Sequence, residues 1–270
     1  MNMRIAIVGC GSIGSELAKA ADEMAEVKRV YLMDQNGKAA ELLASKLKKT
    51  VAVRSIEAEL YHCDLVIEAA SQAAAKEFIP KVVGRGVDIM IMSVGALVDD
   101  DYRNSVYETA RNAGARILVP SGAVCGTDGL SSASIGPIKE VELITTKNPE
   151  SLASVKYLEE KGIDISKMDR PTVIYKGTAR EAVQIFPKNV NVAAAISIMG
   201  IGFDKTNVTI IADPGTNSNS HQLTVKGEFG EMVSITKNVP SPSNPSSSYL
   251  AALSAISALK RIIRNEWVGI

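Results

Sequence analysis

Hydrophobic and polar positions follow two regimes along this chain. Residues 3–8 form an apolar run broken only by Arg4, without period-two alternation, as expected of a strand buried on both faces of a parallel sheet. A glycine-rich stretch follows, and Ile13, Leu17, Ala20, Ala21 and Met24 then recur at helical spacing over 13–25. The exchange continues with strands at 27–33, 51–54, 65–70, 88–94 and 116–119, and helices at 37–48, 72–83 and 100–113. Such alternation predicts an α/β fold: a Rossmann-type doubly wound parallel sheet over 1–120. Beyond Pro120 the strands lengthen and begin to alternate, at 141–146, 172–175 and 208–212, with a hairpin of 221–226 and 231–238 around Gly227 and Gly230. Helices fit 150–161, 179–185 and 190–200, so 121–240 reads as a second, mixed α/β domain. Pro240 to Pro245 is a breaker, and Ser246 is a candidate N-cap for a last helix over 247–264. Leu250, Leu253, Ile256, Leu259 and Ile263 make one stripe on that helix, so the segment 241–270 is expected to return to the first domain.

Composition narrows the function classes. The chain has 270 residues, which favours about two domains. Thirty basic residues balance thirty acidic ones, which argues against binding nucleic acid through bulk positive charge. No apolar run approaches the roughly 20 residues of a membrane helix, so neither a membrane nor a nucleic-acid partner is expected. The short apolar start ending in Gly9 and Gly11 is a poor secretory signal. Three scattered cysteines, Cys10, Cys63 and Cys125, suit a reducing cytoplasm better than a disulfide framework. His62-Cys63 is the only adjacent ligand-type pair, and no metal site is expected.

Gly9-Cys10-Gly11-Ser12-Ile13-Gly14 matches G-x-G-x-x-G directly after a strand and at the start of a helix. In that context Gly9 permits a tight turn, Gly11 lets the backbone approach a pyrophosphate, and Gly14 lets helix and strand pack closely. The phosphates then meet the helix N-terminus near Ser12 and Ile13. Asp34, twenty residues after Gly14 at the end of the second strand, is placed to accept from the ribose hydroxyls. A carboxylate there repels a 2′-phosphate and favours NAD, although Lys38 is near enough in sequence to leave NADP open. Small polar strand ends, with Ala70 and Ser71, Ser93 to Ala96, and Gly122 and Ala123, are further candidates to touch the nicotinamide half. The chain has two histidines. His62 reads as a surface residue. His221 follows the polar loop Asp213 to Ser220 and opens a strand, where a neutral imidazole near pH 7 suits general acid–base work.

Several segments together resemble the L-aspartate dehydrogenase family. They are the fingerprint, Ser121 to Ala123 with Gly126 to Gly129, Pro187 to Ala195, Asp213-Pro214 through Asn219 to His221, Gly227 to Gly230, and Asn244-Pro245 through Leu253. The resemblance covers nearly the whole chain. It implies an enzyme that moves a hydride from Cα of L-aspartate to NAD(P) and yields iminoaspartate. That imine feeds a quinolinate-forming enzyme in pyridine nucleotide biosynthesis, or hydrolyses to oxaloacetate and ammonia. It implies His221 as the catalytic residue, Ala123 and Asn189 as cofactor contacts, and a homodimer built through the second domain. Lys188 and the Gly122–Gly129 backbone are candidates for the substrate carboxylates. Two rival readings are a reductase of homoserine dehydrogenase or dihydrodipicolinate reductase type, and an NAD-binding sensor without turnover.

Overall fold

The computed structural model describes residues 2–153, 155–187, 190–242 and 244–264. The chain divides into two compact units, one running to Pro120 and resuming at Ala252, the other spanning Ser121–Ala251.

In the first unit the elements are β1 (Met3–Val8), α1 (Ser12–Glu23), β2 (Val27–Met33), α2 (Gly37–Ala44), β3 (Thr50–Ala52), β4 (Leu65–Glu68), α3 (Gln72–Val83), β5 (Asp88–Ile91), α4 (Asp100–Ala113) and β6 (Ile117–Leu118). The strands are parallel in the order β3-β2-β1-β4-β5-β6. Ile5, Ile7, Leu32, Leu65 and Ile67 on the sheet pack against Leu17, Ala18 and Ala21 of α1. The continuous apolar runs are thus explained by helices that cover the sheet. The strand order reverses between β1 and β4, which puts the ligand-binding end of such a sheet beyond their carboxyl termini.

Two of the sequence-based elements differ here. The helix expected to reach residue 48 ends at Ala44, because the Asp22 carboxylate takes the Lys48 and Lys49 backbone N–H groups at 3.2 and 2.6 Å and draws the chain into β3. Strand 88–94 stops at Ile91, and a short 3₁₀ turn over Val94–Leu97 follows.

The second unit contains α5 (Thr127–Ala133), β7 (Ile138–Lys147), α6 (Lys156–Glu160), β8 (Thr172–Thr178), α7 (Ala179–Ile185), α8 (Asn191–Met199), β9 (Thr206–Ala212), β10 (Asn219–Gly227), β11 (Gly230–Asn238), β12 (Pro240–Ser241) and β13 (Asn244–Ser248). A five-stranded mixed sheet runs β11-β10-β7-β9-β8, with β7 and β9 parallel and the other pairs antiparallel. Its inner face, with Val141, Leu223 and Val225, packs on Val124, on Leu130 of α5 and on Ile196 of α8. On the opposite face, Val173, Val233 and Ile235 are each more than half exposed.

The expected helix over 150–161 is instead a 3₁₀ turn (Pro149–Leu152) followed by α6. Leu152, Val155 and Leu158 of this segment are buried. The proline-rich breaker pairs as β12 and β13, so the last helix, α9 (Tyr249–Arg264), starts two residues later than expected. Its Ala255, Leu259 and Ile263 enter the core of the first unit beside Ile5 and Leu17. Among the described residues no helix is long and apolar enough to cross a membrane.

Candidate active site

The fingerprint turn joins β1 to α1. Gly9 sits at φ +99°, a left-handed conformation natural to glycine, and a Cβ there would lie 2.5 Å from the Ala69 carbonyl oxygen. A Cβ on Gly14 would collide with the Gly9 carbonyl oxygen, so α1 can pack this close only with glycine. Gly11 faces open space, with no atom within 4 Å of where its Cβ would be. It is also the N-cap of α1 and offers no capping side chain. This is the cradle a pyrophosphate needs: exposed backbone, a helix N-terminus and no side chain in the way. Ser12 and Ile13 open the helix, and Ile13 packs against the core.

Asp34 closes one side of the turn. Its Oδ2 accepts from the Cys10 N–H at 2.7 Å and its Oδ1 from the Asn36 N–H at 2.8 Å. The carboxylate is therefore oriented by backbone, and each oxygen keeps a lone pair for a ribose hydroxyl. Burial, helped by Asp34, pushes the Cys10 thiol up to about 11, so this fingerprint cysteine stays protonated.

At the end of β4 stands Glu68, fully buried. It accepts from the Ala70 N–H at 2.8 Å, the Ser93 N–H at 3.0 Å and the Ser93 hydroxyl at 2.8 Å. Burial raises its pKa against the lowering effect of these bonds. Glu68 ties the strand ends of β4 and β5 together and fixes Ala70 and Ser71, both exposed. The Ser71 hydroxyl also caps α3 by accepting from the Ala74 N–H. The carboxyl ends of β1, β2 and β4 thus bring together Gly9, Gly11, Ser12, Ile13, Gly14, Asp34, Ala70 and Ser71, a set that fits a dinucleotide.

The second unit carries the other candidates. Gly122 turns the chain at φ +71° into Ala123, whose carbonyl accepts from the buried Asn238 amide at 2.9 Å. Asn238 pairs with Asn219 across β10 and β11, and His221 pairs with Thr236 on the same strands and with Thr145 on β7. These ladders bring Ala123 and His221 to one end of one sheet. His221 does not lie at a loop mouth, as the sequence pattern suggests. The strand begins two residues earlier, at Asn219, and carries the ring inside the sheet, where it is 3 % exposed. Its Nδ1 lies 3.0 Å from Thr145 Oγ1. Burial and, secondarily, the Lys147 ammonium push its pKa down to about 3, so the imidazole is neutral throughout the physiological range.

Lys147 escapes the motif reading. It ends β7 on the inward side that also carries Val141, Leu143 and Thr145, and it is 5 % exposed. Burial pushes its amine down to about 8. The signal was present in the sequence: extending the alternating strand by one residue puts a lysine on the apolar side. Asn189 and Lys188 lie outside the described residues.

Both parts of the chain resemble known proteins. Residues 128–262 match the family model for the aspartate dehydrogenase C-terminal domain, and residues 9–120 match the NAD-binding domain of homoserine dehydrogenase. L-aspartate dehydrogenase from Methanosarcina acetivorans is 44 % identical over 269 residues, 99 % of each chain. The enzyme of the same name from Methanococcoides burtonii is 45 % identical over the same span, again 99 % of each chain. The chain belongs to the aspartate dehydrogenase family. Within that family, the crystal structure of aspartate dehydrogenase from Thermotoga maritima superposes with a TM-score of 0.76 at 27 % identity, covering 100 % of this chain and 99 % of that one. Membership makes the chain an NAD(P)-dependent oxidoreductase, in keeping with the fingerprint geometry.

Proposed function

We propose that this protein oxidises L-aspartate at Cα, passing a hydride to NAD(P) and giving iminoaspartate. The observation that carries the reading is the neutral, buried His221 beside Lys147 in a chain whose full-length relatives bear that activity in their names. The cofactor supplies the hydride acceptor. The protein must supply a proton acceptor, because hydride leaves Cα only when the nitrogen lone pair is free to form C=N. In this assignment Nδ1–H of His221 donates to Thr145 Oγ1, which leaves Nε2 as the acceptor for an ammonium proton. A pKa near 3 makes the ring by itself a weak base. Negative charge on bound substrate raises the proton affinity of the ring towards the range a base needs.

In this reading Gly9, Gly11, Ser12, Ile13 and Gly14 hold the pyrophosphate, Asp34 the adenosine ribose, and Ala70, Ser71, Gly122, Ala123 and Asn189 the nicotinamide half. Asp34 makes NAD the preferred cofactor over NADP. The imine either hydrolyses to oxaloacetate and ammonia or passes to a quinolinate-forming enzyme, which gives the protein a place in pyridine nucleotide biosynthesis. Three unpaired cysteines suit the reducing cytoplasm. The open face of the five-stranded sheet supports a homodimer. Val173, Val233 and Ile235 stand on it with Glu142 and Lys237, an apolar patch with both signs of charge, as a self-complementary surface needs.

The test is cofactor reduction by the purified protein with L-aspartate, L-homoserine and L-malate, and the reverse reaction with oxaloacetate and ammonium. Activity confined to L-aspartate, faster with NAD than NADP, is expected. Oxidation of homoserine in place of aspartate would overturn the assignment.

A further inference from the structure

Burying an ammonium without an acceptor is costly, and native proteins do so where a partner arrives later. Lys147 is such a group. It is almost wholly buried, and among the described residues it makes no ion pair. A buried donor without a partner sits on the neighbouring strand. The β10–β7 ladder pairs Ser220 with Thr146, and the next residues along the two strands are Asn219 and Lys147. Asn219 is 4 % exposed, and its amide Nδ2 is buried with no hydrogen-bond partner. His221 follows two residues later on the same side, within the electrostatic reach of Lys147.

Two donors, a buried amide with no hydrogen-bond partner and an ammonium with no ion pair among the described residues, therefore meet at one end of the sheet next to the imidazole. An apolar ligand would leave both unsatisfied, and a cation would be repelled. A carboxylate satisfies both, one oxygen accepting from each. We propose that Lys147 and Asn219 form the carboxylate-binding subsite for the amino-acid substrate. The proposal rests on the reading of L-aspartate as substrate and supplies the anion partner that reading leaves unassigned. It also shifts that role away from Lys188. A carboxylate on Lys147 offsets the positive charge that disfavours protonation of His221, so substrate binding and readiness of the base are coupled.

The test uses full-length enzyme and succinate, an unreactive dicarboxylate, as competitive inhibitor. Lys147→Met removes the charge at similar length. It should weaken succinate inhibition and raise KM for L-aspartate by about 30-fold or more, the usual scale for deleting one partner of a buried charge pair. The Kd for NAD should stay within about twofold, because the fingerprint lies in the other unit. Lys147→Arg should recover part of the loss. Asn219→Ala provides a second variant with a smaller effect of the same kind should Lys147→Met fold poorly. Unchanged succinate inhibition in folded Lys147→Met and in Asn219→Ala, with L-aspartate oxidation intact, would overturn the subsite alone. Lys147-dependent succinate binding in an enzyme that does not oxidise L-aspartate would support the subsite and remove the reaction instead.

Discussion

His221 should make the second unit sensitive to acid in a way that one substitution removes. Its pKa falls from 6.5 to about 3 on folding, chiefly through burial. Between those values the unfolded chain binds a proton that the folded chain refuses. Stability is therefore intact above pH 6.5 and declines as pH falls towards 3, by about 1.4 kcal/mol per unit. Going from about pH 7.5 to about pH 4.5 this one ring costs roughly 2.5 kcal/mol, a large share of a typical 5–15 kcal/mol. His221→Gln keeps a polar side chain near Thr145 and removes the titration. Buried carboxyls such as Glu68 titrate in both proteins and cancel in the difference. Urea unfolding should be followed in the near-ultraviolet circular dichroism of the Tyr157–Tyr175–Phe186 cluster, which reports on the second unit. At neutral pH the variant should be the less stable protein, and the gap should shrink by roughly 2.5 kcal/mol at the acid end. A gap that stays constant with pH would refute the claim that folding holds this imidazole neutral.

Other substitutions probe separate parts of the structure. Gly14→Ala drives a Cβ into the Gly9 carbonyl oxygen and should destabilise by about 1–3 kcal/mol, read as a lower melting temperature. Asp34→Ala releases the Cys10 and Asn36 N–H groups and removes the ribose acceptor. It should weaken NAD about tenfold or more in a calorimetric titration, with NADP affected less. If the proposed homodimer forms, placing glutamate at both Val233 and Ile235 should convert it to monomers in sedimentation velocity, and a wild-type chain that is already monomeric would dismiss the interface.

Much of this was visible in the residue pattern, for physical reasons. Buried parallel strands need continuous apolar runs, so β1, β2 and β4 stand out, and the fingerprint glycines follow from steric demands that only glycine meets. Asp34 is legible because a strand end and a fixed spacing put it there. Glu68 was hidden: it looks like one polar residue in an apolar strand, and its role depends on Ser93 arriving from the turn after β5, 25 positions away. Lys147 and Asn219 were hidden because each sits at the last step of a strand, where a one-residue error in the boundary turns an inward group into a loop residue. His221 stands out in the sequence, but its burial does not, since that depends on the β7 and β11 neighbours supplied by tertiary pairing. Over 150–161 the backbone splits into a 3₁₀ turn and a short helix while Leu152, Val155 and Leu158 stay buried, a reminder that periodicity reports burial before it reports helix.

The most direct test follows the hydrogen on Cα. L-Aspartate carrying deuterium at C2 is mixed with excess enzyme and NAD in a single turnover, and the reduced cofactor is weighed by mass spectrometry. One deuterium should appear on the cofactor, and His221→Ala should slow its transfer by about 10²–10⁴-fold. Reduced cofactor without deuterium, or transfer at the wild-type rate in His221→Ala, would contradict hydride abstraction assisted by this imidazole.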